Sequence, residues 1–303
     1  MGAPATAEEI RDVNTRYHDG AAAQYDAKWG INWGEVGAHQ VLLKTRKALG
    51  GTPAHFARSL EIGAGTGYFS LHLVKAGIVA DATCTDISPG MLETLRANAT
   101  QLGLDVKTVA CDAEQLPFAD ASFELVMGHA VLHHLPDLAR AFREFERVLT
   151  PGGTLFFAGE PSRTGDRIAN VPKRAANVAA PAWRRALRAR AAAEGHTDGG
   201  ERNHQLEGSV DVHAFVPEDL ERFAEGAGLR DVRIRGEELL ANWFGWANRA
   251  LEATAEPEDV PWLWRQYAFR GYLALQQLDS RLLEGRLPPA IFYNLMVSAR
   301  KAG

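Results

Sequence analysis

Between Arg58 and Phe157 short apolar runs alternate with longer stretches of helical periodicity. The runs Ser59–Ile62, Ile78–Thr85, Val106–Cys111, Phe123–Met127 and Thr154–Phe157 predict strands, and Tyr68–Ala76, Pro89–Leu102 and Pro136–Leu149 predict helices. The gap between the third and fourth runs has room for a turn of helix only. Strands alternating with helices imply βαβ units and a parallel sheet. The runs are almost wholly apolar, as strands covered on both faces are. Right-handed crossovers then put helices on both faces, which is a doubly wound α/β fold.

The flanks read differently. Residues 5–27 predict one helix, with Ile10, Val13, Tyr17 and Tyr25 at roughly helical spacing. Residues 161–215 break the pattern with several glycines and prolines and hold a basic helix at Pro181–Ala193. Residues 217–228 return to helix with Pro217 in its first turn. Leu229–Arg235 predicts a strand, 237–286 an aromatic helical stretch, and Ile291–Arg300 a last strand. The organisation expected is a helical cap (1–50), an α/β core (51–160), a basic insertion (161–216), a core helix and strand (217–236), an aromatic helical insertion (237–289) and a final core strand (290–303).

Composition narrows the function classes. The chain has 303 residues, of which 46% are hydrophobic and 23% charged, enough for a core of ordinary size. A net charge of −5 carries no signature of nucleic-acid binding. No apolar run approaches the roughly 18 residues that span a bilayer. Met1–Glu9 has neither the basic nor the apolar region of a secretory signal. Cys84 and Cys111, on segments read as adjacent strands, fit two buried thiols in a reducing cytoplasm. Without histidines nearby they make no zinc site, and no metal is expected.

The strongest chemical signal is Leu60-Glu61-Ile62-Gly63-Ala64-Gly65-Thr66-Gly67-Tyr68. It follows an apolar strand and opens a helix, so the backbone turns sharply and presents N–H groups to a ligand. Asp86, about 20 residues on, closes the second strand where an acid accepts hydrogen bonds from ribose hydroxyls. Asp112 ends the third. With Glu61, three carboxylates crowd the crevice in which α/β sheets bind ligands. A nicotinamide fingerprint wants G-x-G-x-x-G, but Tyr68 stands at its last position, and no Gly-Lys-Ser or Gly-Lys-Thr marks a phosphate loop.

These residues resemble the class I S-adenosylmethionine-dependent methyltransferases, and most of all the ubiquinone/menaquinone branch. The resemblance covers Glu61–Gly67, Asp86 with Met91-Leu92, Asp112-Ala113, Phe123–Val126 with Val131–Leu135, and Pro151-Gly152-Gly153. It implies a Rossmann-like methyltransferase sheet of seven strands, the last antiparallel, carrying helical insertions. It implies S-adenosyl-L-methionine held by Glu61, Gly63, Ala64, Gly65, Gly67, Asp86, Met91, Asp112, Ala113 and His129. The glycine turn would wrap the methionine part, Asp86 the ribose, and Asp112-Ala113 the adenine.

Methyl transfer from a sulfonium gains mostly from alignment of the acceptor, about 7–11 kcal/mol, and requires a base only when a proton must leave early. His129, which the resemblance sets beside the transferring methyl, is the candidate base, against a reading in which it packs on the cofactor through its backbone. His134, Glu160 and His213 are weaker candidates for the acceptor pocket. Tyr17, Tyr25, Trp29 and Trp33 of the first segment would close it. The acceptor expected is a small, apolar or aromatic molecule, with no nucleic-acid partner. The alternative is a non-catalytic protein that binds the same cofactor as a sensor or scaffold.

Two insertions depart from the quinone-methyltransferase pattern. Arg163 to Arg190 holds eight basic residues against one acid, Asp166. Such a run is either a solvated face or a docking surface for an anionic acceptor or a membrane headgroup layer. Residues 243–272 gather four of the seven tryptophans, as the core of a small helical subdomain or as a lid over an apolar pocket.

Overall fold

The computed structural model describes residues 6–51, 55–192 and 212–303, without the side chains of Lys28 and Trp29. The Trp29 side chain therefore lies outside the described residues, and the helix expected at Pro181–Ala193 ends early, at Leu187, where Arg188 turns left-handed at φ 57°. The chain divides into two compact units, Met1–Glu160 with Arg202–Ile234 and Met296–Gly303, and Pro161–Glu201 with Arg235–Leu295.

The first unit is built on a seven-stranded sheet. Its strands are β1 (Phe56–Ile62), β2 (Val79–Asp86), β3 (Lys107–Ala110), β4 (Phe123–His129), β5 (Leu149–Pro161), β6 (Arg230–Glu237) and β7 (Asn294–Arg300), in the order β3-β2-β1-β4-β5-β7-β6. Strands β1 to β5 pair in parallel. β7 runs antiparallel to β5, as the bonds Ser162 N–H to Tyr293 O and Lys301 N–H to Gly153 O require. The order reverses between β1 and β4, so a crevice opens at the carboxyl ends of those strands.

Helices α1 (Ala7–Ala21), α2 (Tyr25–Trp29) and α3 (Glu35–Leu49) precede the sheet, and α4 (Tyr68–Lys75), α5 (Pro89–Leu102) and α6 (Leu138–Val148) are its crossovers. Sheet residues alternate between two cores, as a pleat demands. Phe156 packs with Val41, Phe69, Leu73, Leu125 and Met127 on one face. Phe157 points to the other, with its ring centroid 5.0 Å from Phe145. α6 meets it through Leu138, Ala141, Phe142, Phe145 and Val148, a continuous helical stripe, and Asp137 caps its start by accepting from Arg140 N–H at 2.9 Å.

The single helix expected over 5–27 is two. Gln24 leaves helical geometry at φ −114°, ψ 2°, after a 3₁₀ turn at Ala22–Gln24. Gly20, a poor helix former, stands just before the break, and Ala21 and Ala22 are buried there. The described part of the first unit also contains α8 (Pro217–Gly226), begun at proline as expected.

The second unit is helical, with α7 (Arg163–Leu187), α9 (Leu240–Glu252) and α10 (Trp262–Leu278) continued by a π turn at Asp279–Leu283. α7 corrects the expected start at Pro181. It begins at a Ser162 cap, 3.1 Å from Gly165 N–H, and runs through Pro172 and Pro181. Alanine, the best helix former, recurs often enough along it to outweigh two prolines whose missing N–H groups would otherwise end it. Its buried stripe is Gly165, Ala169, Ala176 and Ala180. Asp279 caps α9 by accepting from Leu240 and Ala241 N–H at 3.1 and 2.9 Å. Trp183 meets Trp264 edge-on at 5.2 Å, and Lys173 Nζ lies 4.2 Å above the Trp246 ring.

Phe145→Ala removes a fully buried ring from the cluster under α6. It should lower unfolding free energy by about 3–5 kcal/mol, read as an earlier midpoint in urea.

Candidate functional site

Four parallel strands finish at one edge, and the chain turns above each. After β1, Gly63, Gly65 and Gly67 take φ of 60°, 52° and 91°. A Cβ on Gly63 would stand 2.3 Å from Val131 Cγ2, and one on Gly67 2.7 Å from Leu95 Cγ. Only glycine fits the conformation and the packing at both. Ala64 N–H bonds Thr85 O at 2.8 Å and ties the turn to β2.

The acids of this edge do separate jobs. Glu61 is 2% exposed, and its carboxylate accepts from Ser70 N–H at 3.0 Å, bracing the first turn of α4 from below. Burial pushes its pKa up to about 7, against the pull of the Ser70 bond. Asp86 accepts from Gly65 N–H at 2.8 Å and from Ser88 N–H at 2.9 Å, joining the glycine turn to the start of α5. Burial raises it to about 6; the Ser88 and Gly65 bonds oppose that, and the Asp19 charge adds to it. Asp112 lies 2.7 Å from Arg11 Nε, and Arg11 also pairs with the buried Glu114. Asp19, also on α1, accepts from Gly90 N–H at 2.9 Å and from the Ser88 hydroxyl. α1 is thus bolted over the ends of β2 and β3.

Together these elements surround one cavity, partly open to solvent. Gly63, Gly65, Asp86, Met91, Asp112, Ala113 and His129 of the expected cofactor set line it, as do Tyr25 and His134 of the expected acceptor set. Glu61, Ala64 and Gly67 stand behind this lining as its support. Tyr17 is buried against His18, ring centroids 5.1 Å apart. Trp33 stacks on His72 at 5.6 Å and donates to Asp26 at 2.8 Å, away from the lining. His213 faces Leu135 O at 3.0 Å.

Glu160 has a placement that its sequence position does not suggest. Its buried carboxylate accepts from Val131 and Leu132 N–H, both at 3.0 Å, and from His133 N–H at 3.2 Å, and it meets His133 Nδ1 at 2.8 Å. It pins the loop after β4, where Ala130 carries a φ of 53°. That loop supplies Ala130, Val131, His134, Leu135 and Pro136 to the wall. His129, just before it, stacks on Phe69 at 4.7 Å and 22°.

Among the lining residues that escaped the sequence reading are three on α1, Arg11, Asn14 and His18. They recur at i, i+3 and i+7 on α1, so the signal was a polar stripe on one helical face. Tyr25 joins them at the mouth, its hydroxyl pKa raised by burial and by the Asp86 charge.

Glu61 titrates from 4.5 unfolded to about 7 folded, so its contribution is complete below pH 4.5 and is lost as pH rises through 7. Glu61→Gln keeps the acceptor for Ser70 without the charge. In ligand-free protein the variant should match the parent at pH 4 and exceed it at pH 8, by on the order of 3 kcal/mol in urea titrations. Equal stabilities at pH 8 would show that the buried carboxylate costs nothing.

Comparison with known proteins places this edge in a wider group. Residues 60–157 match the family described as a methyltransferase domain. A malonyl-acyl-carrier-protein O-methyltransferase of Methylococcus capsulatus is 41% identical over 141 residues, 46% of this chain and 48% of the relative. The ubiquinone/menaquinone biosynthesis C-methyltransferase UbiE of Bordetella parapertussis is 40% identical over 97 residues, 32% of this chain and 38% of its own. The chain thus spans about half or less of the length of these curated relatives. Among solved structures, phosphoethanolamine N-methyltransferase 2 of Haemonchus contortus, in complex with S-adenosyl-L-methionine, superimposes with a TM-score of 0.59 at 17% identity, covering all (100%) of this chain and 61% of that one. The cyclase SpnF gives 0.59 at 16% identity and covers 98% of its own length. At such identities these two likenesses carry the fold alone. The glycine turn, the acids Asp86 and Asp112 and the pinned loop after β4 all fall inside the segment that matches the methyltransferase domain.

Proposed function

We propose that the chain binds S-adenosyl-L-methionine in the cavity of its first unit and transfers the methyl group to a small apolar or aromatic acceptor. The observation that carries this is the convergence on one cavity of the glycine turn, Asp86, Asp112-Ala113 and His129 from four consecutive parallel strands. The donor set fits the cofactor. Gly65 leaves open space where a side chain would stand, Asp86 offers carboxylate oxygens, and Met91 gives an apolar contact. When bound, the cofactor supplies an electrophilic methyl group.

The chain's own residues do the rest. The glycine turn and Asp86 orient the nucleoside end. The wall of Val131, Leu135 and Pro136, pinned by Glu160, shapes an apolar surface beside His129. Tyr25, His18 and His134 present rings suited to a flat acceptor. His129 is the group we assign to contact the acceptor and take its proton where one must leave; its stack on Phe69 fixes the ring plane. Holding the acceptor in line accounts for most of the rate gain, so the site requires no further catalytic constellation.

Calorimetry should show S-adenosyl-L-methionine binding that tightens between pH 5 and 7, because ribose hydroxyls favour ionised Asp86, whose pKa in the free protein is about 6. Asp86→Asn should weaken binding about 10- to 100-fold at pH 7.5 and flatten that pH profile. A panel of quinone-like, polyketide-like and lipid acceptors should yield S-adenosylhomocysteine with at least one member. Binding without product from any acceptor would favour a cofactor-sensing or scaffold role, and absence of binding would end the proposal.

A further inference from the structure

The second unit carries an exposed face that the methyl-transfer reading leaves unused. α7 buries Ala169, Ala176 and Ala180 and turns the opposite stripe outward. That stripe reads Arg167, Val171, Arg174, Val178 and Arg185, at i, i+4, i+7, i+11 and i+18, all exposed. Val171 is 68% and Val178 82% exposed. The stripe runs about 27 Å along the helix.

Charge along the α7 stripe has one sign. The single acid of α7, Asp166, is engaged by Lys173 at 3.4 Å. Arg167, Arg174, Arg185 and Arg188 have no carboxylate partner among the described residues, whereas Arg190 is committed to Asp259 at 2.8 Å. Exposed valines between arginines cost hydration and self-repulsion and return nothing to the packing of the unit.

We propose that this face docks on the surface of an anionic phospholipid bilayer. Guanidinium groups pair with lipid phosphates, and Val171 and Val178 enter the boundary between headgroups and acyl chains. The repeat of cation and apolar tip along the helix is periodic and without a groove of its own. It matches a continuous layer of negative charge over hydrocarbon better than the discrete carboxylates of an acidic protein. No helix among the described residues is long and apolar enough to cross a membrane, so the contact is peripheral. It is independent of the cofactor site.

The test uses the full chain and sucrose-loaded vesicles. The protein should sediment with phosphatidylcholine containing about a third phosphatidylglycerol and stay in solution with phosphatidylcholine alone. Roughly 0.5 M NaCl should release the protein from the anionic vesicles. Arg174→Glu with Arg185→Glu should lower partitioning at least tenfold, and Val178→Asp several-fold, both with unchanged circular dichroism and unchanged S-adenosyl-L-methionine affinity. No sedimentation with anionic vesicles at low salt overturns the proposal, as does sedimentation indifferent to the arginine reversals. A dimer in solution that the same reversals dissociate assigns the face to a second copy, and tighter capture of an acidic carrier protein through these arginines assigns it to a protein. Either result also overturns it.

Discussion

Parallel strands that finish at one edge leave their last N–H and C=O groups, and the loops that follow, without the pairing a sheet interior provides. The first unit meets this constraint with carboxylates. Glu61 reaches under α4 to Ser70, Asp86 joins the glycine turn to the start of α5, and Glu160 gathers three successive N–H groups of the loop after β4. Each is buried, and each is held in place by backbone donors. The cavity exists because these braces keep four loops apart at fixed spacing, where apolar side chains would have let them collapse.

The arrangement explains a division of labour among the acids. Glu61 and Asp86 pay for their burial with raised pKa values, about 7 and about 6. Asp112 stays partly exposed and holds Arg11 of α1. The first two are therefore sensitive to pH near neutrality and the third to the position of a helix. A site that must admit and release a charged ligand gains from having both kinds of control, one in protonation and one in the seating of α1.

Much of this was legible in the sequence, for reasons that name themselves. β1, β2 and β4 each contain a short, largely apolar run, and the turn at Gly63–Gly67 needs three residues of positive φ, which only glycine supplies freely. Asp86 and Asp112 end strands, so the fold alone brings them together. Glu160 also ends a strand, yet its bonds to Val131, Leu132 and His133 depend on the loop folding back over β5, which no spacing encodes. α7 was misread because Pro172 looks like a stop and Pro181 like the first turn of a new helix, while the packing of Ala169, Ala176 and Ala180 against a neighbour is a tertiary fact. Arg11, Asn14 and His18 were missed because a polar stripe on a helix is the ordinary look of a solvated face.

β7 lies between β5 and β6, although it is made from residues 294–300. During synthesis, β5 is complete at Pro161 but lacks that neighbour until Arg300 has emerged, on the order of 10 s later at ribosomal rates. For that interval a buried, apolar strand presents an open edge, the kind that recruits other chains. The nascent protein has its cavity early and keeps an open edge until the last strand arrives, so premature termination within the last helices would leave a formed cavity on an adhesive sheet.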